Sequence, residues 1–286
     1  MMVAAANRKA AASPPQSKRT SSDRDINAIG KRTIARSTNL ISLDKERAIG
    51  KQYAQEFERG ARRLDDPAVA SYLDHLAENL ARNSDAQIPI TVRVINSEAP
   101  NAYVLPGGFL YVTSGLILQV ENEGELAGML AHGIAHTALR NGTRNASNGE
   151  LPIFEIIPAP FILPPTMAGW GIYEGMVNVV PIGFSKFQRD AEYDADFFGL
   201  QYVYKTGYDP DCFIRFIGRM GHTPTSGRKV PANLSPIPPA SDRVKAMNKE
   251  VAEILPSHVG AIISSADFEA FKDRVRSLQS PSPQFK

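Results

Sequence analysis

The chain has one cysteine, Cys212. No disulfide can close within it, and a zinc site built from several thiolates is excluded. A charge imbalance is also missing. Lys and Arg total 32 against 30 Asp and Glu, a net charge of +2. That offers no whole-protein attraction to polyanions, so no nucleic acid is expected as partner. Nor is an export signal visible. Met2-Val3-Ala4-Ala5-Ala6 ends at Asn7, short of the ~7–15 apolar residues such a signal needs. An apolar run from Ile156 to Tyr173 has 18 residues without a charge, but Pro158, Pro160, Pro164 and Pro165 lie inside it. Each proline removes a backbone donor and obstructs the preceding helical turn, which argues against a spanning helix. The composition of 156–173 suits an apolar flap over a cleft, a peripheral contact with a membrane surface, or an ordinary buried loop.

What is present is ordinary globular material: 286 residues, 43% hydrophobic and 22% charged, enough for a sizeable core. The first 37 residues carry eight basic side chains, Arg8 to Arg36, against Asp23 and Asp25. With Pro14-Pro15 and several serines, residues 1–40 are expected to be a disordered basic tail, free or bound to an anion. Residues 41–286 are expected to form a single domain.

Helical spacing predicts helices from Asp44 to Leu64 and from Asp66-Pro67 to Arg82, stopped by Asn83-Ser84-Asp85. Pro89–Ile95 reads as a strand, and Tyr103–Leu105, Pro106-Gly107-Gly108 and Phe109–Val112 as a hairpin. Ser114 to Asn141 reads as a short helix and a longer one, and Gln188 to Thr206 as a helix stopped by Gly207. Further helices are expected from Asp209-Pro210 to Met220, from Ser241-Asp242, and over 266–278. The fold class is therefore α+β, mainly helical with a small β-sheet.

Chemistry concentrates in two of these helices. His132 and His136 are four apart within Glu125-Leu-Ala-Gly-Met-Leu-Ala-His-Gly-Ile-Ala-His. They project from one face about 6 Å apart along the axis, so both imidazoles can reach one tetrahedral zinc ion. Two ordinary histidines give the same pattern. Glu192 and Asp196 are likewise one turn apart, on a segment apolar at Ala195, Phe198 and Leu200. A carboxylate facing a core needs a cation; two histidines and one carboxylate make a catalytic zinc set, and Asp196 is placed to accept from a ligating imidazole. A solvated acidic face paired with Arg189 is the alternative. His75, His222 and His258 read as surface or helix residues.

Four stretches together resemble the gluzincin metallopeptidase family of the HtpX and CAAX-prenyl proteases, and within it the soluble BepA-like bacterial branch. They are Asn101–Gly108, Ala131-His132-Gly133-Ile134-Ala135-His136, Arg189–Asp196 and Pro238-Pro239-Ala240-Ser241-Asp242-Arg243-Val244. The resemblance covers about residues 42–252. It implies one zinc per chain held by His132, His136 and Glu192, with Asp196 supporting a ligand. It implies that Asn101, Ala102, Tyr103, Val104 and Leu105 border the cleft and pair with an extended substrate backbone. It also implies a protease of unfolded or extended polypeptides in the periplasm or cell envelope, an address no leader in this chain supports.

Two positions depart from the family. Gly133 stands where the family has its general-base glutamate, so proton transfer from water to the leaving amine has no side chain to carry it. Ile237 stands where relatives have a histidine able to plug the zinc site. Glu150, Glu155 and Asp194 are the remaining candidates for a base. The expectation is a metalloendopeptidase whose hydrolysis is strongly impaired; the alternative is a pseudoenzyme that binds peptide without cutting it. Gly133 alone would suit a deliberate exchange of the base, whereas Ile237 beside it favours natural divergence.

Overall fold

The computed structural model describes residues 19–34, 39–143, 182–220, 237–257 and 259–279, and of 182–188 the backbone alone. The apolar segment 156–173 and His222, His258, Glu150 and Glu155 lie outside the described residues.

Helix α1 (Ser21–Arg24) and a 3-10 turn (Ile26–Ala28) precede α2 (Leu43–Gly60) and α3 (Pro67–Arg82). The Asp66 carboxylate accepts from Ala68 N and Val69 N, and Pro67 occupies the first helical position, where its missing N–H costs nothing. The strands β1 (Thr91–Ile95), β2 (Ala102–Leu105) and β3 (Phe109–Thr113) form one sheet in the order β1-β3-β2. The expected hairpin pairs antiparallel, with Tyr103 opposite Tyr111. β1 lies parallel to β3, Thr91 opposite Phe109, so β2 is an edge strand. Helices α4 (Ser114–Gln119), α5 (Glu123–Ala138), α6 (Ile182–Thr206), α7 (Pro210–Met220), α8 (Ala240–Ile254) and α9 (Ala266–Leu278) follow. The architecture is α+β, mainly helical.

α5 sits at the centre. Its Leu126, Leu130 and Ile134 are fully buried among Leu73 and Leu80 of α3, Phe197 and Phe198 of α6, and Phe213 of α7. α5 packs chiefly along α6. At their crossing a Cβ on Gly199 would stand 3.2 Å from the His132 backbone N and Cα. Glycine there lets α6 lie directly on the turn of α5 that carries His132. At its far end α6 stops at Gly207, φ +97°. Gly207 N donates to Tyr204 O and Tyr208 N to Val203 O, the paired bonds of a left-handed helix stop.

The expected basic tail of 1–40 needs correction where it is described. Thr20 and Asp23 cap α1 reciprocally. The Arg32 side chain, 1% exposed, donates to Asp85 Oδ2, Asp23 O and Gln201 Oε1, each at 2.8 Å. Arg19 pairs with Asp194 and lies 4.0 Å over the Phe197 ring. Residues 19–34 therefore form a strap across the back of α6. Their charges look solvated in one dimension because the matching carboxylates, Asp85 and Asp194, lie more than fifty residues away in sequence. Among the described residues no helix is long and apolar enough to cross a membrane.

Candidate metal centre

His132 and His136 leave α5 on one face, their rings 84° apart in plane with centroids at 4.7 Å. Their Nε2 atoms are 3.1 Å apart. Glu192, projecting from α6, completes a triangle, with Oε2 at 3.5 Å from His132 Nε2 and Oε1 at 3.4 Å from His136 Nε2. A tetrahedron with zinc–ligand bonds of about 2.0–2.1 Å has edges of roughly 3.3 Å. The His132–His136 separation is close to that figure, each imidazole has one Glu192 oxygen at a similar distance, and among the described residues this is the one group of His, Cys, Asp or Glu able to hold a metal ion.

The electrostatics point the same way. Burial disfavours a charged His132, yet hydrogen bonds to Asp196 and Glu192 outweigh it and raise the imidazole to about 9. Burial likewise opposes ionisation of Glu192, but hydrogen bonds from His132 and His136 hold its carboxyl well below the usual range. Ring lone pairs and a carboxylate converging on one point require a cation between them, and a metal ion competes there with a proton.

Asp196 stands behind His132, its Oδ1 accepting from Nδ1 at 3.0 Å, which leaves Nε2 facing the cluster. Arg243, from the start of α8, grips Asp196 with Nε–Oδ2 at 2.7 Å and Nη2–Oδ1 at 2.6 Å. Its Nη1 lies 3.8 Å from Glu192 Oε2. One guanidinium thus pairs with Asp196 and faces Glu192 as well. Sequence reasoning quoted Arg243 within a motif and gave it no role. The signal was its place in Ser241-Asp242-Arg243 at a helix start, which reads equally well as a solvated first turn. Asn141 was also missed; its amide lies 2.9 Å from His136 Nδ1.

The cluster lies in a cleft of about 470 Å³. Asn101, Ala102, Val104 and Leu105 line it; Tyr103 does not, and packs its ring 5.2 Å from that of Phe57. Gly133 faces the cleft with no side chain. An ideal Cβ there would meet Leu110 Cδ2 at 2.8 Å and Val104 Cγ2 at 3.2 Å, so a side chain at this position would require the tips of Leu110 and Val104 to shift. Ile237 is 56% exposed at the rim and cannot ligate. Asp194 is buried and paired with Arg19 on the strap side. Besides Glu192, the described acid lining the cleft is Glu46, which accepts from Arg140 at 2.6 Å and Thr143 at 2.9 Å. His75 bonds the Ser71 carbonyl at 2.7 Å on α3.

The profile of peptidase family M48 matches residues 66–251. A beta-barrel assembly-enhancing protease of Yersinia pestis is 25% identical over 82% of this chain and 49% of its own length. Its namesake from Escherichia coli is 25% identical over 85% and 50%. The mitochondrial metalloendopeptidase OMA1 of Schizosaccharomyces pombe is 25% identical over 76% and 64%. The chain spans about half the length of the bacterial relatives it matches.

Proposed function

The chain belongs to peptidase family M48, and from that premise we propose that it binds one zinc ion through His132, His136 and Glu192 and holds extended or unfolded polypeptide in the adjoining cleft, with hydrolysis strongly impaired. The zinc reading is supported by the convergence of His132 Nε2, His136 Nε2 and the Glu192 carboxylate, with contacts of 3.1–3.5 Å between them. Zinc held there supplies Lewis acidity to a peptide carbonyl and to water. The chain's own residues do the rest. Asp196 and Arg243 keep His132 turned to the metal. β2, an edge strand whose Ala102, Val104 and Leu105 line the cleft, is placed to pair with an extended peptide along that edge.

The single observation that carries the loss of activity is Gly133, hemmed in by Leu110 and Val104. No side chain there can take a proton from water, and loss of a general base costs about 10²–10⁴ in rate. The absence of a base at Gly133 also favours the second reading, a pseudoprotease that binds without cutting.

Purified protein with one equivalent of zinc and an unfolded casein tests both. Casein held without cleavage supports the binding reading, and slow turnover abolished by a chelator supports the impaired peptidase. Metal content unchanged in both His136→Ala and Glu192→Ala would sink the ligand assignment.

A further inference from the structure

His136 offers Nε2 to the cluster, so its other ring nitrogen decides which way the imidazole faces. Asn141 is the group against that nitrogen, with Nδ2 placed 2.9 Å from His136 Nδ1. In this orientation Asn141 Oδ1 is a buried oxygen with no hydrogen-bond partner. The orientation also sets donor against donor, because an imidazole presenting a lone pair at Nε2 carries its proton on Nδ1. Oxygen and nitrogen of an asparagine amide are assigned from their hydrogen-bond network. Turning the amide over removes both faults at once: Oδ1 accepts from Nδ1–H, and no buried acceptor is orphaned.

The backbone is shaped to bring Asn141 there. Its predecessor Arg140 has φ +55°, the one non-glycine residue with positive φ among the described residues. That left-handed step folds the chain back over the last turn of α5. Arg140 is held in it by its Nε–Glu46 Oε2 bond at 2.6 Å and by a second bond to the Ile41 carbonyl. Glu46 itself is 1% exposed. A strained residue persists only where its surroundings over-determine it, and here the surroundings are a buried ion pair to α2.

We propose that Asn141 is a positioning residue for the metal site: through Oδ1 it fixes His136 as the Nδ1–H tautomer, and the Glu46–Arg140 pair holds it in place. The two histidines are thus oriented differently, His132 by a charged carboxylate and His136 by a neutral amide. The inference rests on the reading of His132, His136 and Glu192 as a metal site.

The test is zinc affinity of the full chain by chelator competition, with ring ¹⁵N–¹H spectra of the zinc-loaded protein. Asn141→Leu keeps the shape and removes the acceptor; it is expected to weaken zinc binding roughly 10–100-fold, the usual effect of losing such a partner. Asn141→Asp keeps an acceptor and is expected to restore affinity to the parent level or above. The parent spectrum is expected to show His136 protonated at Nδ1. Parent-like affinity in Asn141→Leu overturns the proposal, as does an equal loss in Asn141→Asp. Should Asn141→Leu not fold, the parent spectrum decides, and an unprotonated Nδ1 overturns it. If the parent binds no zinc, the metal-site reading fails as well. If His136→Ala abolishes binding while Asn141→Leu matches the parent, this inference fails alone.

Discussion

At Gly133 two effects of similar size oppose each other. Any side chain would relieve the roughly 1 kcal/mol that glycine costs inside a helix. It would also drive a Cβ to 2.8 Å from Leu110 Cδ2, in a core where overpacking costs about 1–3 kcal/mol. Gly133→Glu is therefore expected to lose up to about 2 kcal/mol in urea unfolding. It should still raise proteolysis of unfolded casein at least about 100-fold, the scale of base catalysis. Leu110→Val in the same chain removes the obstructing methyl, and the pair should be at least as active as Gly133→Glu alone. A pair no faster than the parent would mean the site is disabled elsewhere. His132, His136, Glu192 and Asp196 were legible in the sequence because a four-residue step on a helix fixes two side chains to one face. Asn141 was not, since its placement depends on a left-handed turn stabilised by Glu46, 94 residues earlier than Arg140.

Between elements, the site depends on three helices meeting. α5 brings the histidines, α6 the carboxylates, and α8 the guanidinium that pairs with buried Asp196 and faces half-buried Glu192. Removing one partner of such a group strands the other. Arg243→Met is expected to destabilise the fold by about 3–5 kcal/mol and to weaken zinc binding about 10–100-fold. Denaturant unfolding and chelator competition measure the two separately; a variant with parental values in both would show that Asp196 needs no cation. Most helices could be read from their caps, as at Asp66-Pro67 and Gly207. The parallel pairing of β1 with β3 could not. Alternation identifies a strand but carries no information about its partner, and β2, which comes between them in sequence, ends at the edge of the sheet.

For the whole molecule, the proposed zinc and the strap would act on the same helix from opposite sides. Held by the proposed ligands, zinc would bridge α5 to α6 and so bind the folded chain and not the unfolded one. At a free concentration one hundred times Kd that linkage contributes about 2.7 kcal/mol. Chelation should lower Tm, and added zinc should restore it; a Tm indifferent to both would argue against a metal between these helices. On the other side, Arg32 neutralises Asp85 in a fully buried pair. Arg32→Ala should therefore cost about 3–5 kcal/mol in urea unfolding, whereas a solvated tail residue would cost almost nothing. The sequence suggested such a tail because charge counts along a chain say nothing of acceptors far away. The expected domain start near residue 41 misses the strap for the same reason.

The strap also sets an order of events during synthesis. Arg32 leaves the ribosome 169 residues before its partner Gln201, and Arg19 leaves 175 before Asp194. At about 5–20 residues per second, these arginines wait roughly ten to thirty seconds for α6 to emerge. Arg243 follows Asp196 by a further 47 residues. A nascent chain halted between residues 196 and 243 would already carry His132, His136 and Glu192, but not the arginine that holds Asp196. Such a chain should acquire zinc late or poorly.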